Sequence, residues 1–175
     1  MTYILKLVIA GEGGVGKTAM TLRFTKGIFL EGTKMTIGVD FSAVKVMLGE
    51  EQVTLQLWDF GGEDRFRFIL PGYCRGASGA LLVFDLTKPY SFNNLPEWLD
   101  LIRKNTDSIP IVMVGTKIDL PNRAITREDA EAFVNENNIS SYIECSAKSG
   151  QNIGYVFGLI TQAVLDRKKQ DSGLY

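Results

Sequence analysis

Eight residues near the start of the chain, GEGGVGKT at 11–18, have the spacing of a phosphate cradle, G-x-x-x-x-G-K-[ST]. Glycines at those positions admit backbone angles closed to other residues, so successive N–H groups can turn inward onto anionic oxygens. Glu12, Gly13, Gly14, Val15, Gly16 and Ala19 are expected to contribute to the cradle. Lys17 is expected to pair with the β- and γ-phosphates of a nucleotide, and the Thr18 hydroxyl to ligate Mg²⁺. The base is chosen elsewhere. GTKID at 115–119 ends on Asp119, whose carboxylate can accept from both the ring N–H and the amino group of guanine. Adenine has an acceptor at the first position and no amino group at the second, so it leaves such a carboxylate unpaired. Thr116 opens that motif, and Lys117 can lay its stem along the base. Ser146-Ala147-Lys148 supplies a second contact, the Ala147 N–H toward the guanine carbonyl.

These groups need elements that bring them together. Four short apolar runs, at 3–10, 80–86, 109–115 and 141–146, read as strands buried on both faces. The phosphate loop, TKID and SAK follow three of them directly. Ligands in open α/β sheets bind beyond the carboxyl ends of the strands, which is where these motifs fall. Phe92, Leu95, Leu99 and Ile102 recur at helical spacing, as do Ile153, Val156, Phe157, Ile160 and Val164. Thr126 and Asp129 read as a variant capping box opening another helix. FSAVKVML and VTLQLWDF, flanking residues 49–51, read as a hairpin at the sheet edge. The expected fold is α/β: three layers with a mostly parallel sheet, one strand antiparallel, in a single domain.

Composition narrows the chemistry. With 19 basic and 20 acidic residues the net charge is -1, which gives no electrostatic footprint for nucleic acid. The chain has no histidine, so a Ser-His-Asp triad, a Cys-His dyad and a histidine metal site are excluded. Cys74 and Cys145 are isolated and suggest no disulfide framework, which favours a reducing, cytoplasmic setting.

With these motifs in this order, the sequence resembles the small GTPases of the Ras superfamily over residues 3 to about 169. TIGVDF and RFRFILPGYCRGASGALLVFDLT resemble the Rab branch most. The resemblance implies an α/β fold, a three-layer P-loop NTPase (G domain) over residues 1–175 with a mostly parallel six-stranded sheet and one antiparallel strand. It implies GTP or GDP and Mg²⁺ as ligands, and slow hydrolysis of GTP to GDP and phosphate, working as a switch in signalling or trafficking. It implies that Phe29 packs on guanine, that Thr36 and Asp59 join Thr18 at Mg²⁺, and that the Gly62 N–H meets the γ-phosphate beside Lys17. It also implies a partner surface of Ile37, Phe41, Trp58 and Tyr73, an activating protein, an exchange factor and a monomeric state. Thr116 stands where most relatives have asparagine, and the Gly61-Gly62 pair resembles the Arf branch and α subunits. Glu63 stands where relatives carry the glutamine that orients the attacking water. A carboxylate there only accepts hydrogen bonds and brings negative charge toward an anionic phosphate, so without a partner it is expected to turn to solvent, Arg65 or Arg67. Thr33 stands where α subunits carry their own arginine finger, so an arginine supplied in trans is expected. The chain as given ends DSGLY, without a terminal cysteine, and has Thr at position 2, so no lipid anchor is expected of it. Two readings of another kind stay open: a nucleotide-bound interaction module that hardly turns over, and a P-loop phosphotransferase.

Overall fold

Residues Gly79–Asp85, GALLVFD, are polar only at the last position, and all seven are buried. Such a run needs cover on both faces, and the fold supplies it. The computed structural model describes residues 2–173. The last two residues of the DSGLY end lie outside them, and with them the reading of an unanchored terminus. The elements in chain order are β1 Thr2–Ala10, α1 Lys17–Lys26, β2 Val39–Leu48, β3 Glu51–Phe60 and α2 Leu70–Cys74, the last following a 3₁₀ helix over Asp64–Ile69. Then come β4 Gly79–Asp85, α3 Pro89–Asn93, α4 Leu95–Lys104, β5 Ile111–Thr116, α5 Arg127–Glu136, β6 Ser141–Glu144 and α6 Ile153–Asp171.

The sheet order is β2-β3-β1-β4-β5-β6, parallel throughout except for the antiparallel β2–β3 pair. Alternation along β1 sends Leu5, Leu7 and Ile9 to one face and Val8 and Ala10 to the other. The first face packs with Met20 of α1 and Phe157 and Ile160 of α6. The second packs with Leu70, Trp98, Ile102 and Ala130, from α2, α4 and α5. The result is the three-layer α/β architecture expected. Thr126 caps α5, its hydroxyl accepting from the Asp129 N–H at 3.1 Å.

Three local readings change. Of the hairpin, only β2 lies at the sheet edge; β3 lies between β2 and β1, because β1 pairs with it in parallel from Gln52 to Asp59. The helix read through Phe92 and Ile102 divides at Asn94, since Pro96 has no N–H to give the Phe92 carbonyl. The strand read to residue 146 stops at Glu144, which frees Cys145 and Ser146 to begin a loop. The carboxyl ends of β1, β4, β5 and β6 open on the same side of the sheet. No helix among the described residues is long and apolar enough to cross a membrane.

Candidate nucleotide site

The turn leaving β1 ends at Gly16, whose φ of 100° is left-handed and suits glycine. Gly16 is also the N-cap of α1 and offers no side-chain cap, so the first N–H groups of the helix remain available to an anion. Lys17 is buried, and its Nζ donates to the carbonyls of Gly11 at 2.8 Å and Glu12 at 2.7 Å. Burial pulls its pKa down to about 8, against the opposing pull of the Asp59 and Glu12 charges. Asp59, near the end of β3, accepts from the Thr18 hydroxyl. That hydroxyl also lies 2.8 Å from the Thr36 hydroxyl. Burial pushes the Asp59 carboxyl up to about 6, opposed by the Thr18 hydrogen bond and the Lys17 charge. Its Oδ1 is buried without a hydrogen-bond partner among the described residues. Two hydroxyls and a carboxylate with an unused buried oxygen form a hard oxygen donor set, and they suit Mg²⁺. Thr18 and Thr36 border a cavity of about 60 Å³ that Gly13, Gly14, Lys17 and Gly62 also line, and Asp59 stands behind them.

A second cavity, of about 200 Å³, shares Gly16 and Ala19 with the first and is lined by Phe29, Lys117, Asp119, Ala147 and Lys148. Ser146 donates to Asp119 Oδ1 at 2.7 Å and thereby orients the carboxylate. Ser146 thus acts on the cavity through Asp119. Thr116 is also a tie: its hydroxyl is shared between the carbonyls of Val15 and Phe84, joining the ends of β4 and β5 to the phosphate loop. Lys117 has a left-handed φ of 64° and reaches back to the Gly14 carbonyl at 2.9 Å and to Asp85 at 2.7 Å. Asp85 is fully buried at the end of β4; an acid closing an otherwise apolar strand was the signal in the sequence that could have found it.

The loop after β6 has its own brace. Arg123 is bidentate to Glu144, which also accepts from the Tyr142 hydroxyl at 2.7 Å, and the Asn152 amide holds the Glu144 carbonyl. Burial alone would raise the Glu144 carboxyl; the Arg123 and Tyr142 hydrogen bonds outweigh it and hold the group below its ordinary value. Glu144→Gln is therefore expected to cost about 1–3 kcal/mol of stability at neutral pH. A depressed carboxyl stabilises the fold above the ordinary carboxylate pKa and loses that contribution as pH falls through the lower folded value. The melting-temperature gap between wild type and variant should thus narrow from about pH 7 to about pH 3, and a constant gap contradicts the brace.

The sites read from sequence do not all face the cavities. Glu12 turns its carboxylate away from the phosphate loop, and Val15 is a core residue whose carbonyl receives Thr116. Glu63 lies at the start of the 3₁₀ helix with its carboxylate 2.6 Å from Arg65 Nε. Phe41, Trp58 and Tyr73 form one row, with ring centroids 4.8 and 5.6 Å apart. Phe41 is 49% exposed, Tyr73 38%, and Ile37 73%. The Gly61 N–H donates to the Gly38 carbonyl at 2.7 Å, tying the loop after β3 to the one before β2.

A profile described as the Ras family matches residues 6–166 of the chain. Among curated proteins, the chain is 43% identical over 157 residues to GTP-binding protein ypt3 of Schizosaccharomyces pombe, covering 89% of this chain and 73% of that one. It is 41% identical over 157 residues to Ras-related protein Rab-11C of Dictyostelium discoideum, covering 89% and 70%. It is 40% identical over 164 residues to Ras-related protein RABA2a of Arabidopsis thaliana, covering 93% and 75%.

Proposed function

Since this chain belongs to the Ras family of small GTPases, on its Rab branch, we propose that residues 1–175 form one G domain that cycles between GTP and GDP with Mg²⁺ and signals its state through two loops, about 31–41 and 60–76. The observation that supports this most is convergence. Thr18, Thr36 and Asp59 meet beside the Lys17 ammonium, and the Asp119 carboxylate lines the adjoining cavity. In the proposed reaction a water attacks the γ-phosphorus in line. The bond to the β–γ bridging oxygen breaks, and GDP and phosphate leave. Bound Mg²⁺ would neutralise phosphate charge, and Thr18, Thr36 and Asp59 are the residues that would hold it. Lys17 would exchange its two carbonyl partners for phosphate oxygens, and the Gly62 N–H would stabilise charge on the γ-phosphoryl group. The protein works in the cytoplasm, and an activating protein supplies the arginine this chain lacks at Thr33.

Glu63 decides between this reading and a nucleotide-bound interaction module. Its pairing with Arg65 keeps the carboxylate occupied, which favours slow turnover. Like charges about 5 Å apart at an effective dielectric of about 20 repel by roughly 3 kcal/mol. Without an activator the wild type should therefore hydrolyse GTP over minutes or longer, and Glu63→Gln should be faster by up to roughly a hundredfold. Single-turnover phosphate release by wild type, Glu63→Gln and Glu63→Leu measures this. A Glu63→Gln variant slower than wild type makes the carboxylate a working base; three equally slow proteins favour the interaction module.

The row Phe41–Trp58–Tyr73, together with the exposed Ile37 on the loop before β2, is the proposed partner surface, bordering two loops proposed to sense the nucleotide. Tryptophan emission should differ between the GDP form and a form with a non-hydrolysable GTP analogue, and Trp58→Phe should remove the larger part of the difference, leaving that of Trp98 beneath Arg67. Identical spectra in the two states contradict the assignment.

A further inference from the structure

The Glu12 side chain sits in the phosphate loop but works outside it. Its Oε1 accepts three hydrogen bonds: from Arg67 at 2.9 Å, from the Trp98 indole at 3.0 Å and from the Asn94 amide at 3.2 Å. Trp98 and Asn94 come from the junction and body of α4, and Arg67 from the 3₁₀ helix that follows Gly62 and Glu63. The Arg67 guanidinium lies over the Trp98 ring, 4.5 Å from its centroid, and pairs with Glu97 at 2.5 Å and Asp64 at 3.3 Å. Its side chain is only 23% exposed. A planar fork packed on an indole and bonded at its edges has little freedom left to lose, so the pair behaves as a fixed joint rather than as a mobile surface ion pair.

We infer that Glu12 and Arg67 form a latch that holds the loop after β3 closed on the phosphate loop without help from the nucleotide, and so favours GTP over GDP. None of the contacts of the latch uses a ligand atom. Gly62, a short way along the chain from Arg67, lies with its backbone against that of Gly13, so the loop after β3 is closed on the phosphate loop. A triphosphate that binds only the closed loop has its affinity multiplied by the fraction of molecules that are closed, so a loop closed about one time in ten binds it about tenfold more weakly. GDP has no γ-phosphate and makes no such contact. The latch therefore raises affinity for the triphosphate selectively. The two ends of the latch also flank the carbonyl that Lys17 uses, since Glu12 binds Lys17 through its backbone and Arg67 through its side chain.

The inference rests on the guanine-nucleotide reading, and the test separates the two. Wild type, Glu12→Gln, Arg67→Ala and the double variant are titrated with GDP and with a β,γ-imido GTP analogue, with melting curves to confirm folding. Arg67→Ala should bind the analogue about tenfold more weakly and GDP within about twofold of wild type. Glu12→Gln should lose less, because its amide oxygen still accepts from Trp98 and Asn94, and the double variant should be no worse than Arg67→Ala alone. If Arg67→Ala does not fold, Arg67→Lys serves: it keeps the charge, loses the fork on Trp98, and should show the same selective loss in smaller measure. Equal losses for both nucleotides, or additive effects of the two substitutions, overturn the latch and leave the G-domain reading standing. A wild type that binds neither nucleotide overturns both.

Discussion

Asp119→Asn is expected to lower affinity for GDP and GTP by about a hundredfold. The carboxylate has two oxygens. Ser146 donates to one and holds the group in place, so the carboxylate can serve the guanine ring N–H and amino group together. An amide keeps one acceptor and places a donor where the base also donates. Losing a charged hydrogen bond and leaving a buried donor against a donor costs on the order of 2–4 kcal/mol. The same amide can donate to the extra carbonyl of xanthine, so XDP affinity should rise as GDP affinity falls. Competitive titration with GDP, XDP and ADP measures both changes. Unchanged GDP binding would place the base somewhere other than the cavity formed by Phe29, Lys117, Asp119 and Ala147.

Gly62→Ala is expected to abolish most GTP hydrolysis while sparing GDP binding. A β-carbon on Gly62 would stand 2.0 Å from the Gly13 nitrogen, 2.3 Å from the Glu12 carbonyl carbon and 2.6 Å from the Gly13 α-carbon. All three are backbone atoms of the phosphate loop, which Thr116 and Lys117 hold from behind. The loop after β3 must therefore lift, and its N–H leaves the γ-phosphate position. Loss of one preorganised donor of this type costs about 10²–10³ in rate. Single-turnover hydrolysis reads the loss, and a GDP titration within about threefold of wild type shows that the base site is intact. An alanine variant that hydrolyses GTP at the wild-type rate would mean that Gly62 plays no part in the chemistry.

Much of the site is legible in the sequence because it is local. GEGGVGKT is a turn between a strand and a helix in one contiguous stretch, and its glycines, lysine and threonine form a cradle whose geometry neighbouring residues set. TKID and SAK are legible for the same reason: each follows an apolar run, and parallel strands bring their carboxyl ends to one side of the sheet. The alternation of Val53, Leu55 and Leu57 marked a strand, but not that it would lie second from the edge, because the pattern of one strand carries no information about its neighbour on the far side.

What only the tertiary structure decided is which polar group faces which. Glu12 belongs by sequence to the phosphate cradle, yet its carboxylate serves Arg67, Asn94 and Trp98. Thr116 belongs to the base motif, yet its hydroxyl holds Val15 and Phe84. Glu63 had solvent, Arg65 and Arg67 open to it, and takes Arg65 because Arg67 is already held over Trp98. Arg123 and Glu144 meet because the loop after β5 passes the end of the adjacent parallel strand β6. These partners are distant along the chain or divided between competing acceptors, and a residue type fixes only what a side chain can donate or accept. Sheet register and helix packing settle which of those bonds it makes, since a buried polar group takes the partner that the backbone has already brought within reach.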